Sequence, residues 1–315
     1  MAPVIEVQNL KKYFPTPRGI LHAVDDVTFT IEKGKTLGVV GESGCGKSTL
    51  GRTIIHLQES TAGKIFLEGE PVNNLKGKAL RAAREKMQII FQDPYSSLDP
   101  RKTAEQTIRE PLQVARKFSK AEIEEKTTEL MELVGIDERL RKAYPHELDG
   151  GRRQRIGIAR ALALDPKFVV CDEPVSALDV SIQAQVLNLL KKLQQDRGLT
   201  YMFVTHDMSV VRHISDDICV MYLGQVVEKC PSKELFKNPL HPYTKALLSA
   251  IPSTDIHHPT KRMILKGEIT SPINPKPGCR FAARCPYATE ACRQPQKQEE
   301  VSAGHFVTCC RIHEL

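Results

Sequence analysis

Apolar residues recur along the first two thirds of this chain with two periods, one typical of strands and the other of helices. Runs of strand length lie at residues 4–7, 24–31, 36–40, 168–171 and 201–205. A helical period predicts a helix between the last two runs, over about residues 182–195. Because buried strands alternate with helices, the pattern predicts an α/β fold with a parallel sheet that is covered on both faces.

The stretch from about residue 75 to residue 165 has a mostly helical pattern. Within it, Ser119 and Glu122 are spaced as a capping box, in which each side chain bonds the other's backbone N–H. Apolar residues then follow at the spacing of one helix face, as at Ile123, Leu130 and Val134. We therefore predict a helix that begins directly after Ser119.

Beyond Phe236 the apolar periodicity weakens and prolines accumulate. Nine of the 20 prolines lie between Pro239 and Pro295. We predict a main domain over residues 1–235 and a separate, loop-rich extension over residues 236–315.

The composition excludes several classes of protein. With 41% hydrophobic and 26% charged residues, the 315-residue chain is typical of a globular protein. No stretch approaches the roughly 18 apolar residues of a membrane span, and charges interrupt the N-terminal apolar run, which excludes a secretory signal. The net charge of +7 is dispersed and only 5% of residues are aromatic, so nucleic acid is not an expected partner. A cytosolic protein is expected, with any membrane contact made through a partner.

A glycine-rich segment follows the strand at 36–40 and precedes a helix predicted from about Lys47. It reads Gly41, Glu42, Ser43, Gly44, Cys45, Gly46, Lys47, Ser48 and Thr49, and is called the P-loop below. The strand-to-helix context is the one that a phosphate-binding loop requires. Its glycines let backbone N–H groups point at phosphate oxygens, and the helix N-terminus adds positive charge. Lys47 is predicted to reach the β- and γ-phosphates of ATP, and the Ser48 hydroxyl to ligate Mg²⁺.

Two carboxylates end the apolar strand at residues 168–171. Charges at the end of a buried strand are costly unless they have a role. Asp172 is predicted to hold Mg²⁺, directly or through water, and Glu173 to orient the attacking water or accept its proton. The alternative is a surface Asp-Glu pair without a chemical role.

Further motifs, in the same order along the chain, resemble those of the ATP-binding cassette (ABC) ATPases. They are Gln92, Leu148-Asp149-Gly150-Gly151-Arg152, Ser176-Ala177-Leu178-Asp179, His206, and Phe14 with Tyr13 as its alternative. The resemblance implies that Gln92 contacts Mg²⁺ or water and that His206 contacts the γ-phosphate. It also implies an aromatic stack of Phe14 on adenine.

The same resemblance implies a P-loop NTPase fold of the ABC-ATPase type. Such a fold has a RecA-like core sheet, an antiparallel β subdomain and an α-helical subdomain, here over about residues 93–165. In that family the signature segment contacts ATP bound to the opposite subunit, which assigns Asp149, Gly150 and Gly151 to nucleotide binding. Asp179 belongs to the D-loop, which is also a nucleotide-site element.

The signature segment departs from the family pattern of Leu-Ser-Gly-Gly-Gln. Asp149 replaces the serine and Arg152 replaces the glutamine. A carboxylate beside a polyphosphate is repulsive, by about 4 kcal/mol per charge pair at about 4 Å and an effective dielectric constant near 20. We therefore expect the two ATP sites of the assembled pair to differ. The alternative is that Arg152 neutralises Asp149, which leaves two equal sites.

Four longer segments resemble one branch of the family, the ATPase subunits of oligopeptide and dipeptide importers. They are QDPYSSLDPR, DEPVSALDVSIQAQVLNLL, HPYTKALLSAIP and GCRFAARC. The resemblance implies a second ABC ATPase subunit as partner, two transmembrane permease subunits, an extracytoplasmic peptide-binding protein, and a place at the cytoplasmic face of the cell membrane. A nickel importer of the same architecture is the first alternative, and a soluble ABC ATPase that acts on DNA or ribosomes is the second.

Cysteines are concentrated at the C-terminal end of the chain. Five of the nine are Cys279, Cys285, Cys292, Cys309 and Cys310. Without an export signal a disulfide framework is not expected, and clustered thiols in a reducing compartment indicate a metal site. The resemblance favours a [4Fe–4S] cluster, with Zn²⁺ and unligated thiols as alternatives, and leaves the fourth ligand open between Cys309 and Cys310. We expect Cys285→Ser to spare nucleotide binding if the extension is a separate domain.

Overall fold

The structure, a computed structural model, describes residues 3–251, 262–265, 267 and 271–314. Its strands are β1 (Ile5–Thr16), β2 (Gly19–Ile31), β3 (Thr36–Val40), β4 (Ala62–Leu67), β5 (Glu70–Pro71), β6 (Met87–Ile90), β7 (Phe168–Asp172), β8 (Thr200–Thr205), β9 (Asp217–Tyr222), β10 (Gln225–Pro231), β11 (Glu299–Ser302) and β12 (His305–Val307). Its helices are α1 (Lys47–Ile54), α2 (Gly77–Lys86), α3 (Ala104–Ala115), α4 (Lys120–Leu133), α5 (Gly150–Leu162), α6 (Val180–Arg197), α7 (Met208–Ile214), α8 (Ser232–Lys237) and α9 (Pro242–Ser249).

The chain divides into two compact units. The first, here called the helical unit, contains Asn74–Met202 together with Glu32–Gly34. The second, called the P-loop unit, contains Ile5–Ile31, Lys35–Asn73 and the described residues from Phe203 onward. The dividing point falls within β8, so residues 201–202 of the strand predicted at 201–205 belong to the helical unit and residues 203–205 to the P-loop unit.

The helical unit is built from α2 to α6 with the short parallel pair β6 and β7. Helix α3 packs against α4 and α5. Helices α2 to α5 lie within the stretch of about residues 75–165 for which the pattern predicts mostly helix. Ser119 accepts a hydrogen bond from the N–H of Glu122, whose carboxylate accepts one from the N–H of Ser119, so the predicted capping box is confirmed. Strand β6 was not predicted, because four residues directly after a helix are too few to show a period.

The P-loop unit contains two sets of paired strands. The order β2-β1-β4-β5 forms an antiparallel sheet, as the resemblance implied. The order β11-β12-β10-β9-β3 is mixed, since β3 and β9 are parallel and the other pairs are antiparallel. The prediction of a purely parallel sheet is therefore wrong at this end. Leu223 and Gly224, both with positive φ, form the tight turn between β9 and β10, and such a turn can join only antiparallel strands.

The C-terminal extension shares a core with the rest of the P-loop unit. Strand β12 pairs with β10 in the register Glu228 to Val307. Tyr243 and Phe281, both from the extension, are buried in the same apolar cluster as Val40 and Val220. The expectation of a separate extension is thus wrong for the described residues, because backbone pairing and shared core residues join it to the cassette. The boundary between residues 235 and 236 itself stays a prediction.

Candidate nucleotide site

The P-loop joins β3 to α1, as predicted. Gly46 precedes the helix with φ of 104°, and Gly41 has φ of 153°, conformations that L side chains rarely adopt. A Cβ atom at Gly41 would lie 2.2 Å from the carbonyl oxygen of Met221, and one at Gly46 would lie 2.0 Å from that of Ala23. Both positions therefore require glycine for the space around them as well as for their backbone conformation.

Lys47 is held within this loop. Its Nζ donates hydrogen bonds to the carbonyl oxygens of Gly41 at 2.8 Å and Glu42 at 3.1 Å, and the residue is only 4% exposed. Ser43 and Gly44 are exposed at the tip of the loop, whereas Cys45 is buried and burial raises the pKa of its thiol. Because its side chain is buried, Cys45 is suited to contact a bound phosphate only through its backbone. Ser48 and Thr49 lie in the first turn of α1 and are partly exposed.

In the helical unit, the ends of two parallel strands bring the second group of predicted residues together. Ile90 of β6 pairs with Cys171 of β7, so the residues that follow them emerge at the same edge. The Gln92 amide donates a hydrogen bond to the Glu173 carboxylate, with 3.2 Å between Nε2 and Oε2. Asp172, the last residue of β7, is fully buried. The structure thus places two of the predicted catalytic side chains in direct contact.

Glu173 has an unusual backbone conformation for a residue with a side chain. Its φ is 46°, in the left-handed region that favours glycine. Its carbonyl oxygen accepts hydrogen bonds from the Ser176 N–H at 3.3 Å and hydroxyl at 3.1 Å, so the following turn fixes it. Backbone strain of this kind concentrates at functional sites, and it fits the role predicted for the carboxylate.

The signature segment forms the N-terminus of α5. Asp149 is the N-cap, with its Oδ1 accepting a hydrogen bond from the Arg152 N–H at 2.8 Å. Its Oδ2 lies 3.3 Å from the Arg152 guanidinium, and both side chains are about half exposed. A Cβ atom at Gly151 would lie 2.7 Å from the Ile182 side chain, which explains this glycine. The segment therefore packs against the start of α6, whose N-cap is Asp179.

The remaining predicted residues lie in the P-loop unit. Tyr13 stacks on His22 with 3.9 Å between ring centroids and donates a hydrogen bond to Asp25, so its ring is already used in packing. The ring of Phe14 has the Lys12 ammonium at 4.6 Å from its centroid. Both rings thus have a neighbour in this structure, and the stack of Phe14 on adenine stays a prediction. His206 follows β8 directly and is exposed.

Sequence reasoning missed two residues that contact the P-loop. The Glu42 N–H donates a hydrogen bond to the Tyr243 hydroxyl at 2.8 Å. The Arg284 guanidinium donates to the Glu42 carboxylate at 2.6 Å and 3.0 Å. Tyr243 lies in a segment that served only to recognise the importer branch. A contact that joins residues 242 positions apart leaves no local signal in one sequence.

The five C-terminal cysteines line one cavity, together with Phe281 and Tyr287. The Sγ atoms of Cys292 and Cys310 are 3.9 Å apart. Burial, with smaller contributions from the nearby Cys292, Cys309 and Cys285, raises the pKa of the Cys279 thiol to about 12. The structure thus gathers the predicted ligand set around a common space.

A second group of ligand atoms lies deeper in the P-loop unit. It consists of Glu228, Cys230 and His305, whose possible metal-ligand atoms all lie within 4.8 Å of one another. Among the described residues, this is the one group of three or more His, Cys, Asp or Glu side chains that lie so close together. The Glu228 carboxylate accepts hydrogen bonds from the Leu240 and His241 N–H groups at 2.9 Å and contacts His305 Nε2 at 2.8 Å. These bonds identify it as a buried polar staple between β10 and β12.

Comparisons with known proteins agree with the motifs. Residues 24–176 match the family described as ABC transporter, and residues 227–292 match the oligopeptide/dipeptide transporter C-terminal region. The oligopeptide transport ATP-binding protein AppF of Bacillus subtilis is 50% identical over 317 residues, which cover 97% of this chain and 96% of AppF. The chain belongs to the ABC transporter family. Within that family it belongs to the branch of the oligopeptide and dipeptide transport ATP-binding proteins. The dipeptide transport ATP-binding protein DppF of Escherichia coli is 46% identical, in an alignment that covers 99% of this chain and 95% of DppF.

Solved structures place this ABC transporter protein in the same fold. A dimeric ATP-binding cassette, MJ0796, bound to ADP and Pi in a post-hydrolysis state, superimposes with a TM-score of 0.67 at 30% identity, covering 72% of this chain and 98% of MJ0796. The chain is thus an ABC-type ATPase, with ATP and Mg²⁺ as the nucleotide and metal of its reaction. Among the described residues of this ABC ATPase, no helix combines the length and apolar character needed to cross a bilayer.

Proposed function

We propose that this chain is the ATP-hydrolysing subunit that energises an importer of oligopeptides or dipeptides. The observation that carries the proposal is the identity of about half of all residues, over nearly the whole chain, to proteins named for oligopeptide and dipeptide transport. The match to the transporter C-terminal region supports the same branch. An importer of nickel or of another small solute is the alternative.

Within the ATPase, each predicted residue has a proposed role. Lys47 binds the β- and γ-phosphates, because its ammonium is already oriented by two P-loop carbonyl oxygens. Asp172 and Ser48 are each proposed as ligands of Mg²⁺. Glu173, in contact with Gln92, orients the attacking water and accepts its proton. His206 contacts the γ-phosphate.

The proposed assembly has a second ABC ATPase subunit, two permease subunits and an extracytoplasmic peptide-binding protein. The chain would lie at the cytoplasmic face of the membrane, held by the permeases. The test is reconstitution of all five proteins in vesicles with ATP on the side of this chain. ATP-dependent uptake of labelled peptide, lost with Lys47→Ala, is expected. Uptake of nickel without uptake of peptide would contradict the proposed cargo.

We further propose that the two ATP sites of the pair are unequal. In an ABC dimer, each ATP lies between the P-loop of one subunit and the signature segment of the other. Asp149 accepts hydrogen bonds and, as a carboxylate, has none to donate to a γ-phosphate. Its ion pair with Arg152 is about half exposed, so it offsets the negative charge only in part. The site that uses the signature of this chain is therefore the slower one.

Matched variants in the assembled transporter test this asymmetry. Glu173→Gln in this chain is expected to abolish most ATP turnover, whereas the equivalent change in the partner subunit is expected to leave most of it. Equal losses would contradict the proposal. Asp149→Ser should then raise turnover at the slower site, since a hydroxyl donates where a carboxylate repels.

We also propose that the C-terminal cysteines hold a [4Fe–4S] cluster. The five cysteines line one cavity, where bound iron would offset the burial that raises the pKa of Cys279 and Cys285 and would stabilise their thiolates. A single Zn²⁺ ion, with bonds of about 2.3 Å, needs thiolates roughly 4 Å apart. No three of these five described cysteines have Sγ atoms that all lie within 4.8 Å of one another, and this wide spacing favours a cluster over a single ion. When bound, such a cluster cross-links a segment with little regular structure.

Cys309 is the proposed fourth ligand. The pKa values of Cys279 and Cys285 are raised first by burial and then by the nearness of Cys292 and Cys309. Cys310 is the exposed member of the set. The four cysteines of the set that are buried or partly buried are thus Cys279, Cys285, Cys292 and Cys309.

A further inference from the structure

An ion pair joins the P-loop to the cysteine-bearing segment. Arg284, which directly precedes Cys285, donates from Nη1 to Oε2 of Glu42 at 2.6 Å and from Nη2 to Oε1 at 3.0 Å. The Arg284 side chain is 9% exposed and that of Glu42 is 26% exposed. A two-pronged guanidinium–carboxylate pair fixes orientation as well as distance. Glu42 is therefore held in one position from outside the P-loop.

The backbone of Glu42 is held as well. Its N–H donates a hydrogen bond to the Tyr243 hydroxyl at 2.8 Å, and its carbonyl oxygen accepts one from Lys47 Nζ at 3.1 Å. Glu42 thus connects residues of the extension to the lysine that meets the phosphates. Any rotation of its peptide would displace an anchor of the Lys47 ammonium group.

Arg284 is held in place by contacts with buried aromatic residues and with the backbone. The backbone N–H of Arg284 donates a hydrogen bond to the carbonyl oxygen of Phe281 at 2.9 Å. The buried ring of Phe281 lies 5.3 Å from the rings of both Tyr222 and Tyr243. The guanidinium also lies 5.9 Å from the centre of the Tyr222 ring. These contacts fix the base of the arginine side chain, as a positioning role requires.

We propose that Arg284 is a positioning residue of the ATP site, which holds the P-loop in its nucleotide-binding shape through Glu42. The inference rests on the proposed role of the P-loop in binding the phosphates. It makes the C-terminal segment part of the nucleotide site. A pair that only fastened this segment to the protein would change stability and leave nucleotide affinity unaltered.

The test measures the Kd for Mg·ATP of the full-length protein and the unfolding temperature without nucleotide. Arg284→Met keeps the apolar stem and loses the guanidinium, and it is expected to raise Kd about tenfold. Arg293→Met is the matched control, since Arg293 also adjoins a cysteine but has a 77% exposed side chain paired with Glu290. This control is expected to bind like the unchanged protein.

A double variant shows whether the effect passes through Glu42. Glu42→Gln with Arg284→Met is expected to bind no more weakly than Arg284→Met, because both changes break one pair. Arg284→Lys is expected to recover part of the affinity. If Arg284→Met does not fold, Glu42→Gln alone is the test, and it is expected to raise Kd as Arg284→Met would, because it breaks the same pair. Unaltered Kd in Arg284→Met, equal loss in Arg293→Met, or additive losses in the double variant would each overturn the proposal. Unaltered binding in Lys47→Ala would instead refute the role of the P-loop itself.

Discussion

Gln92 and Glu173 lie in direct contact at the ends of two parallel strands, with 3.2 Å between the amide nitrogen and a carboxylate oxygen. An amide in this position helps to fix the orientation of the carboxylate, which the proposed role in orienting the attacking water requires. Glu173 adopts a positive φ directly after the last residue of β7. A general base must be oriented toward its water, and the contact with Gln92 supports the role proposed for Glu173.

Replacing the proposed base is the first prediction. Glu173→Gln is expected to slow ATP hydrolysis by about 10²–10⁴-fold while Mg·ATP still binds, because an amide cannot accept the proton of water. Phosphate release and nucleotide Kd are measured on the same preparation. Glu125→Gln, on the exposed surface of α4, is the control and should behave normally. Near-normal hydrolysis in Glu173→Gln would remove Glu173 from the role of base.

The second prediction concerns phosphate binding. Lys47→Ala removes the ammonium that Gly41 and Glu42 orient, and it is expected to weaken Mg·ATP binding by about 10–100-fold, as for a charged hydrogen bond. Displacement of a fluorescent nucleotide gives Kd. Lys64→Ala, an exposed lysine of β4, should have no effect. The same loss with both variants would indicate a general effect of charge.

The third prediction uses the buried staple between β10 and β12. Burial would raise the pKa of Glu228, but hydrogen bonds from His305 and from the Leu240 and His241 N–H groups outweigh it and hold that pKa below its usual range. A carboxylate with a lowered pKa stabilises the fold above its unfolded-state pKa, near ~4.3, and this contribution is lost as the pH falls below that value.

In Glu228→Gln, the free energy of unfolding is therefore expected to fall less steeply with pH below about pH 4.3. At neutral pH the same variant is expected to be less stable, because it breaks the contact of Glu228 with His305. Denaturant unfolding at several pH values measures both effects. Glu132→Gln, an exposed carboxylate, should leave the pH dependence as it is. An unchanged slope in Glu228→Gln would show that other carboxylates cause the acid sensitivity.

The sequence was informative wherever the determinants of structure are local. The P-loop and the capping box at Ser119 occupy a few successive residues, so spacing alone located them. Strand β6 was missed because its four residues show no period of their own. The contact of Arg284 with Glu42 was missed for a different reason, since only the fold brings such distant residues together. Proline-rich composition suggested a separate extension, yet it carries no information about tertiary contacts.

The fourth prediction revises an expectation from the sequence. Because Arg284 adjoins Cys285 and holds Glu42, Cys285→Ser is expected to weaken Mg·ATP binding several-fold as it disturbs the segment. Iron content, unfolding temperature and nucleotide Kd are compared in protein purified without oxygen. Cys310→Ser is the control, since Cys310 is exposed. Loss of iron with unaltered nucleotide affinity would show that the cysteines and the P-loop act independently.

The last prediction distinguishes the two adjacent C-terminal cysteines. The anaerobic protein is expected to be brown, with about four iron and about four sulfide ions per chain, as a [4Fe–4S] cluster requires. Cys309→Ser should lose most of the iron, because Cys309 is partly buried and lies near Cys279 and Cys285. Cys310→Ser should keep it. The reverse result would make Cys310 the ligand, consistent with its 3.9 Å approach to Cys292. Stoichiometric zinc without iron would replace the cluster by a single metal ion.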